Sequence, residues 1–338
     1  MSQFKYTTTL KQHTPIIHFQ ANQSGATLRA TELKPKFDKF LLKYYRNEVE
    51  KFKIKDKDAL DYKVKIKAFD VRIANPDRFL FFANGLIDNP LSTTFSKKIE
   101  VEFFSFKTEL VELIKNYFKD FLLITNFGSR NNKGYGSFTD NKDNLSDLEE
   151  RLKNYNPILF RLTTNSRKWE QDVLNTHNKM KAGINFPHKN YYFKSLLFRY
   201  MCNTYNIRWE KRKIKQEFPE VVKRGHQPAI DCEIPAQFRY VRAMLGVAEL
   251  YEFNQATDRV EISSNEIKRF PTPIVYKVIN NSIYLLGNES YQQIMGKNFT
   301  FSYNGNDFPL QTPLENEFNL LEFLRFCQTE ENLISEVV

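Results

Sequence analysis

The apolar positions of this chain change period along its length. Over residues 62–68, Tyr62, Val64 and Ile66 face one way and Lys63, Lys65 and Lys67 the other, the two-residue period of a half-buried strand. Further on, Val111, Ile114, Phe118 and Phe121 recur at three- and four-residue steps, with Leu110, Tyr117 and Leu122 widening the stripe. That spacing predicts a buried helix over 108–122. An earlier helix is expected to open at Pro35, because the missing proline N–H costs nothing in a first turn. Phe37, Phe40, Leu41, Tyr44 and Tyr45 supply its inner face. Strands are predicted at 4–10, 14–19, 78–83, 99–106 and 157–163, with 20–26 a polar loop and 140–155 a polar, acidic loop and short helix.

Taken in order, these elements read β-α-β-β-α-β, the ferredoxin-like pattern, with 157–163 as the closing strand. Residues 164–235 read as a helical, basic insertion carrying Trp169, Val173 and Leu174, then Tyr192, Leu196, Leu197, Tyr200 and Met201. In 236–338 a helix is expected at 238–245 and a hairpin at 272–279 and 282–286, turning at Asn280-Asn281. Further helices are expected at 290–295 and 314–326, with a strand at 298–303. The order suggests a second ferredoxin-like unit, and the fold class is α+β.

One stretch departs from both periods. Residues 126–139 read NFGSRNNKGYGSFT and hold three of the 11 glycines, Gly128, Gly134 and Gly136, with Arg130, Lys133 and Tyr135 among them. Glycine lets a main chain approach a phosphate, and consecutive N–H groups form an anion nest. Asn-Gly-Ser clusters are also ordinary surface loops, and the pattern alone leaves both readings open. It is not a nucleotide P-loop, since no G-K-[ST] follows the glycines and the helix precedes the loop.

Charge adds to this. The 338 residues carry 50 Lys and Arg against 40 Asp and Glu, a formal charge of +10, which suggests a polyanionic partner. The first 36 residues hold five cations, Lys5, Lys11, Arg29, Lys34 and Lys36, against Glu32 alone. Lys34 and Lys36 are expected near the first helix's N-terminus, where a phosphate also meets the dipole. A second cluster, NIRWEKRKIK at 206–215, places Arg208 and Arg212 around Trp209; a solvated helix face or an RNA-binding surface explains it. The lysines of 62–68 likewise fit a solvated edge strand or a face that tracks an RNA backbone. Cys202, Cys232 and Cys327 are odd in number, widely spaced and free of any CxxC pair, so neither a zinc site nor a disulfide framework is expected. With no apolar leader or spanning run, a soluble cytoplasmic protein is expected.

Gly128, Ser129, Arg130, Gly134, Tyr135, Gly136 and Ser137 resemble the G-S-R-x-x-x-G-x-G-S loop of the RAMP superfamily, the RNA-binding subunits of CRISPR effector complexes. Residues 28–42 resemble the family's first-helix opening through Thr31, Leu33 and Lys34, departing at Pro35 and Asp38. Arg242–Gly246 (RAMLG) and 267–277 (IKRFPTPIVYK) resemble the first, end-capping subunit of the Cmr-type (type III-B) complex. The resemblance implies two ferredoxin-like domains that hold guide RNA near its 3′ end within a multi-subunit antiviral complex. Its expected partners are guide and target RNA and other RAMP subunits, with no membrane. The loop and first helix would contact the phosphodiester backbone. The candidate RNA contacts are therefore Gly128, Ser129, Arg130, Lys133, Gly134, Tyr135, Gly136, Ser137, Arg29, Lys34, Lys36, Arg208, Trp209, Arg212 and Arg269.

Some RAMP proteins cut RNA, which without metal needs a base near the 2′-OH, commonly histidine. His13, His18, His177, His188 and His226 are the choices, and His13 and His18 flank a strand. The acidic residues Asp140, Asp143, Asp147, Glu149 and Glu150 read as a solvated segment rather than a metal site. No nucleophile elbow or cofactor fingerprint occurs. A non-catalytic subunit without cofactor or metal is expected; an endoribonuclease using His13 or His18, or a nucleic-acid scaffold outside CRISPR, are the alternatives.

Overall fold

The structure, a computed structural model, describes residues 3–17, 27–74, 93–164, 168–189, 191–221, 232, 236–247, 250–252 and 259–337. The strand expected at 78–83 and the residues His18 and His226 lie outside them. The protein is α+β. It divides into two units: one holds residues 1–171, 275–286 and 337, the other 172–274, 287–336 and 338.

The first unit is built on an antiparallel sheet of β1 (Lys5–Gln12), β2 (Ile16–Ile17), β3 (Lys63–Ala74), β4 (Thr93–Phe104) and β5 (Phe138–Asp140). The order across the sheet is β3-β4-β1-β5, with β2 continuing β1 along β4. With helices α1 (Ala30–Tyr44) and α2 (Thr108–Ile124), this is the ferredoxin-like arrangement. The alternation of β3 works as predicted. Val64, Ile66 and Ala68 lie opposite Phe103, Val101 and Ile99, whose side chains are fully buried. Lys65 and Lys67 fall opposite Glu102 and Glu100 on the other face, a cross-strand charge match that solvates an edge strand. The core between sheet and helices is aromatic: Phe37 meets Phe118 at 5.3 Å and Phe121 at 4.9 Å, and Phe103 meets Phe118 at 4.8 Å.

Two expectations are corrected here. The first helix starts at Ala30, so Pro35 lies inside it and Lys34 and Lys36 stand beyond its first turn. Leu33, fully buried, carries the apolar stripe back a turn before Phe37, and Pro35 sits on the exposed side, where the carbonyl it leaves unpaired reaches water. The closing strand is not 157–163 but the three-residue β5. The apolar run does form a strand, β6 (Ile158–Leu162), which pairs with Ser282–Gly287 of the predicted hairpin. That hairpin, Ile274–Ile279 and Ser282–Gly287, turns at Asn280 with φ +52°.

The second unit contains an antiparallel sheet of Leu250–Glu252, Arg259–Ser263, Asn298–Tyr303 and Asn306–Gln311, in that order. Its helices include Leu196–Tyr205, Glu210–Glu217 and Leu320–Glu331. The helix expected at 238–245 is instead a strand, Gln237–Arg239, and a 3-10 turn, Val241–Leu245. That expected at 314–326 starts only at Leu320, where the Asn319 side chain accepts from Glu322 N at 3.1 Å, an N-cap that ends the preceding loop. Against expectation, Cys202 and Cys232 form a disulfide across 30 residues; sequence spacing does not report the distance between Cα atoms, here 5.1 Å.

Gln12 joins β1 to β2. Between them the ladder on β4 is interrupted, and the buried Gln12 amide replaces it: Oε1 accepts from Ser96 N at 2.9 Å, and Nε2 donates to the carbonyls of Thr94 at 3.0 Å and Thr14 at 2.9 Å. Gln12→Leu removes a partner from three buried main-chain groups, at up to about 1–3 kcal/mol each where no relaxation occurs. We predict a stability loss of about 2–5 kcal/mol in urea unfolding; a loss below about 0.5 kcal/mol would show that the ladder closes without the side chain.

Candidate nucleic-acid interface

The glycine-rich stretch leaves α2 and returns as β5. Its two legs pair with each other and with β2. Phe127 N donates to Gly136 O at 2.9 Å, Ser129 N to Ile17 O at 2.7 Å and Gly136 N to Pro15 O at 2.8 Å. Thr14 clamps the second leg: its hydroxyl donates to Gly134 O at 2.6 Å and accepts from Ser137 N at 2.9 Å. The hairpin closes on the other side. Tyr276 N donates to Asn132 O at 3.1 Å, Asn126 Nδ2 to Tyr276 O at 2.8 Å and the Ser137 hydroxyl to Val278 O at 2.5 Å.

The legs are therefore core. Phe127 and Ser137 are fully buried, and Tyr135 packs edge-on against Trp169 at 5.0 Å. All three glycines have positive φ: +80° at Gly128, +92° at Gly134 and +66° at Gly136. A Cβ at Gly136 would lie 1.9 Å from Phe127 O, at Gly128 2.5 Å from Ile17 O, and at Gly134 2.8 Å from the Trp169 ring. The glycines allow main chain to touch main chain and core. Of the N–H groups expected to form an anion nest, those of Gly128, Ser129, Lys133, Gly134, Gly136 and Ser137 have partners within the chain; that of Gly128 donates to Glu32 Oε1 at 2.8 Å.

Several predicted contacts gather around this loop. Lys36 Nζ donates to Glu32 at 2.7 Å and to Asn126 O at 2.9 Å, so it ties α1 to the loop. Lys34 pairs with buried Asp38 at 2.6 Å and lies 4.1 Å from the centre of the Tyr62 ring. Asp38, where the RAMP pattern often has arginine, holds that lysine in place. Arg29 occupies the N-cap position of α1 without a side-chain cap bond, and Arg130, with φ +55°, and Lys133 mark the half-buried tip between the legs with Asn131 and Asn132. Burial presses the Arg130 pKa below its usual value, with Tyr135 acting the other way. Lys133 Nζ lies 5.9 Å from the Tyr276 ring centre.

Ser129, also half-buried, pairs with Ile17 as an isolated bridge. In the second unit, Trp209 is buried against Phe198 at 4.8 Å, while Arg208 and Arg212 keep partial exposure and Arg269 is exposed. The structure thus groups Arg29, Lys34, Lys36 and the loop in one unit, and Arg208, Trp209, Arg212 and Arg269 in the other.

Three residues take places at the loop that the sequence did not indicate: Thr14, Lys277 and His13, the last expected only as a candidate base. Thr14 bonds both ways to the second leg. Lys277, fully buried, donates to Thr125 O at 2.8 Å, where α2 ends, and to Phe138 O at 3.2 Å; burial, then Lys36, pushes its pKa well down. His13 sits between loop and hairpin. Nδ1 accepts from Asn280 N at 3.1 Å, so the proton is on Nε2, which donates to Thr139 Oγ1 at 2.8 Å. Burial, with Lys277 and Lys11 beside it, lowers its pKa from 6.5 to about 3. Among the described residues no group of three His, Cys, Asp or Glu side chains is placed to hold a metal ion, and no helix is long and apolar enough to cross a membrane.

Two predictions follow from the packing. Gly136→Ala should cost more than about 3 kcal/mol, whereas Gly305→Ala, at φ +79° with nothing within 4 Å, should cost only about 1 kcal/mol. Equal costs in urea unfolding would remove the close approach as the reason for Gly136. The second concerns acid. Below pH 6.5 the unfolded chain takes up a proton at His13 that the folded chain refuses until about pH 3, so His13 draws stability down across that window as pH falls. His13→Gln keeps an acceptor and a donor without titrating, and its thermal midpoint should fall less steeply than that of the parent between these limits. Parallel profiles would contradict the neutral, buried imidazole.

Comparison with family models matches residues 3–184 to the Cmr1 N-terminal domain and residues 192–337 to the Cmr1 C-terminal domain. No curated protein matches. Among solved structures, the chain is similar to the crystal structure of Cmr1 from Pyrococcus furiosus in its apo form, at 10% identity over 96% of each chain with a TM-score of 0.42. Its two halves matched by the family's two domain models, the chain belongs to the Cmr1 family, the Cmr-type RAMP subunits that its loop and RAMLG motifs resemble.

Proposed function

We propose that this chain is a non-catalytic, RNA-holding subunit of a type III-B CRISPR effector complex, binding guide RNA near its 3′ end through backbone phosphates. The observation that carries the reading is the division of the glycine-rich stretch into buried legs and a half-buried, cationic tip at Arg130 and Lys133. The glycine N–H groups of the legs are bonded within the chain, which favours the side chains at the tip for contact with phosphate. Side-chain cations on phosphates bind many sequences alike, which suits a subunit that holds guides of differing sequence. Membership of the Cmr1 family supports the assembly with other subunits. The choice of a binder over a nuclease rests on His13, whose two ring nitrogens are both engaged.

The test is single-stranded RNA affinity at one fixed salt concentration. Arg130→Ala with Lys133→Ala should weaken binding about tenfold or more, at about 1–2 kcal/mol per charged contact, with the thermal midpoint little changed. Each phosphate contact adds about −0.7 to the slope of log K against log salt, so the double variant's slope should be shallower by about 1.4. Unchanged affinity and slope would move the RNA surface elsewhere. Gly134→Val is not a test of phosphate approach, because it strikes Trp169 and Val278 within the fold. Metal-free RNA cleavage lost in His13→Gln or His18→Ala would overturn the non-catalytic reading.

A further inference from the structure

The RAMLG segment places a cation, Arg242, near two lysines, Lys181 and Lys211. Arg242 stands in the 3-10 turn Val241–Leu245, with its guanidinium 4.4 Å from the centre of the Tyr251 ring. Lys181, the last residue of the helix Trp169–Lys181, donates at 2.6 Å to the carbonyl of Gly246, which closes that turn. Lys211, on the helix Glu210–Glu217, has Nζ 4.9 Å from the ring centre of Tyr192. The three cations are each half-buried, held among protein groups yet within reach of a solute.

Among the described residues one carboxylate, that of Glu210, faces them. Glu210 is fully buried, and its Oε2 accepts from the N–H groups of Val241 at 3.0 Å and Arg242 at 3.4 Å. Among the described residues its other oxygen and Arg242 Nε, both buried, have no partner. No ion pair within 4 Å joins Lys181, Lys211 or Arg242 to a carboxylate among the described residues. In their usual charge states, these three cations against the one acid among the described residues leave an excess of two positive charges.

A half-buried excess of that kind is costly without a counter-ion, and lysines answer by losing protons. Burial does push Lys181 down to about 7 and Lys211 to about 8, with Arg242 adding to both. The alternative answer is an anion. A phosphate monoester carries close to two negative charges at neutral pH and an internal phosphodiester only one. Its oxygens accept from the Arg242 fork and from lysine point charges.

We infer that Lys181, Lys211 and Arg242 form a site for a terminal phosphate monoester, with Tyr192 and Tyr251 as its walls and Glu210 setting the pose of the Arg242 turn. The ligand is the phosphorylated end of an RNA strand or a free nucleotide. Only the RNA source rests on the function proposed above.

The experiment uses the full chain. Adenosine monophosphate should bind and raise the thermal midpoint, and adenosine should not. Arg242→Gln, and separately Lys181→Met with Lys211→Met, should weaken that binding about tenfold or more. The lysine variants should be no less stable than the parent without ligand, because they remove the uncompensated charge. Neither change touches Arg130 or Lys133, so affinity for an RNA without terminal phosphates tests the other surface independently. A decanucleotide with a terminal phosphate that binds more tightly than its dephosphorylated form, with the preference lost in Arg242→Gln, identifies an RNA end. Binding of the monophosphate with no such preference identifies a free nucleotide. No binding of the monophosphate at millimolar concentration, or binding that survives in both folded variants, overturns the site.

Discussion

The first unit depends on a main-chain approach too close for any side chain, that of Gly136 to the Phe127 carbonyl. It lets the two legs of the loop pair after α2 and turns the second leg into β5 beside β1. From there the consequences are local and successive. Ser137 points its hydroxyl at the hairpin, Tyr135 turns toward Trp169, and Gly134 presents its carbonyl to Thr14. A segment that is continuous in sequence therefore works as two buried walls and one outward tip.

The same geometry explains why residues 275–286 belong with the first unit although they follow some hundred residues of the second. Buried main-chain groups need partners, and the loop cannot supply all of its own. The hairpin supplies Tyr276 O, Tyr276 N and Val278 O. Lys277 answers the end of α2, where carbonyls lack helical partners. Its two carbonyl acceptors favour the ammonium form, but full burial and then the neighbouring Lys36 outweigh them and push its pKa well down.

The fold was legible where apolar periods were long. The helix at 108–124 and the alternation on β3 follow directly from spacing, and so does the hairpin with its Asn280 turn. It was illegible where three residues suffice. β5 reads FTD, too short to show any period, while the apolar PILFRLT run nearby offered itself as the closing strand. The start of α1 was hidden because proline at a first turn and proline on an exposed helix face look alike in sequence. At 314–326 the start is set by the Asn319 cap on Glu322 N, which the spacing of apolar residues does not show. The loop itself stood out, yet glycine reports only that Cβ is forbidden. Whether a phosphate or another backbone forbids it depends on partners far along the chain, such as Thr14 and Val278.

This bears on how charge is to be read in such a protein. A formal charge of +10 suggests a broad cationic face. Around the loop, however, Lys34 answers Asp38, Lys36 answers Glu32 and a carbonyl, and Lys277 answers two carbonyls. These cations hold elements together, and their ammonium groups are already matched by oxygens of the chain. A phosphate gains most from a cation whose existing partners are weakest, since any bond it makes there replaces little. By that measure the aromatic-walled Lys211 and Arg242 are better placed for an anion than the lysines of α1. Residue type and position along a helix do not carry that distinction; only the partners do.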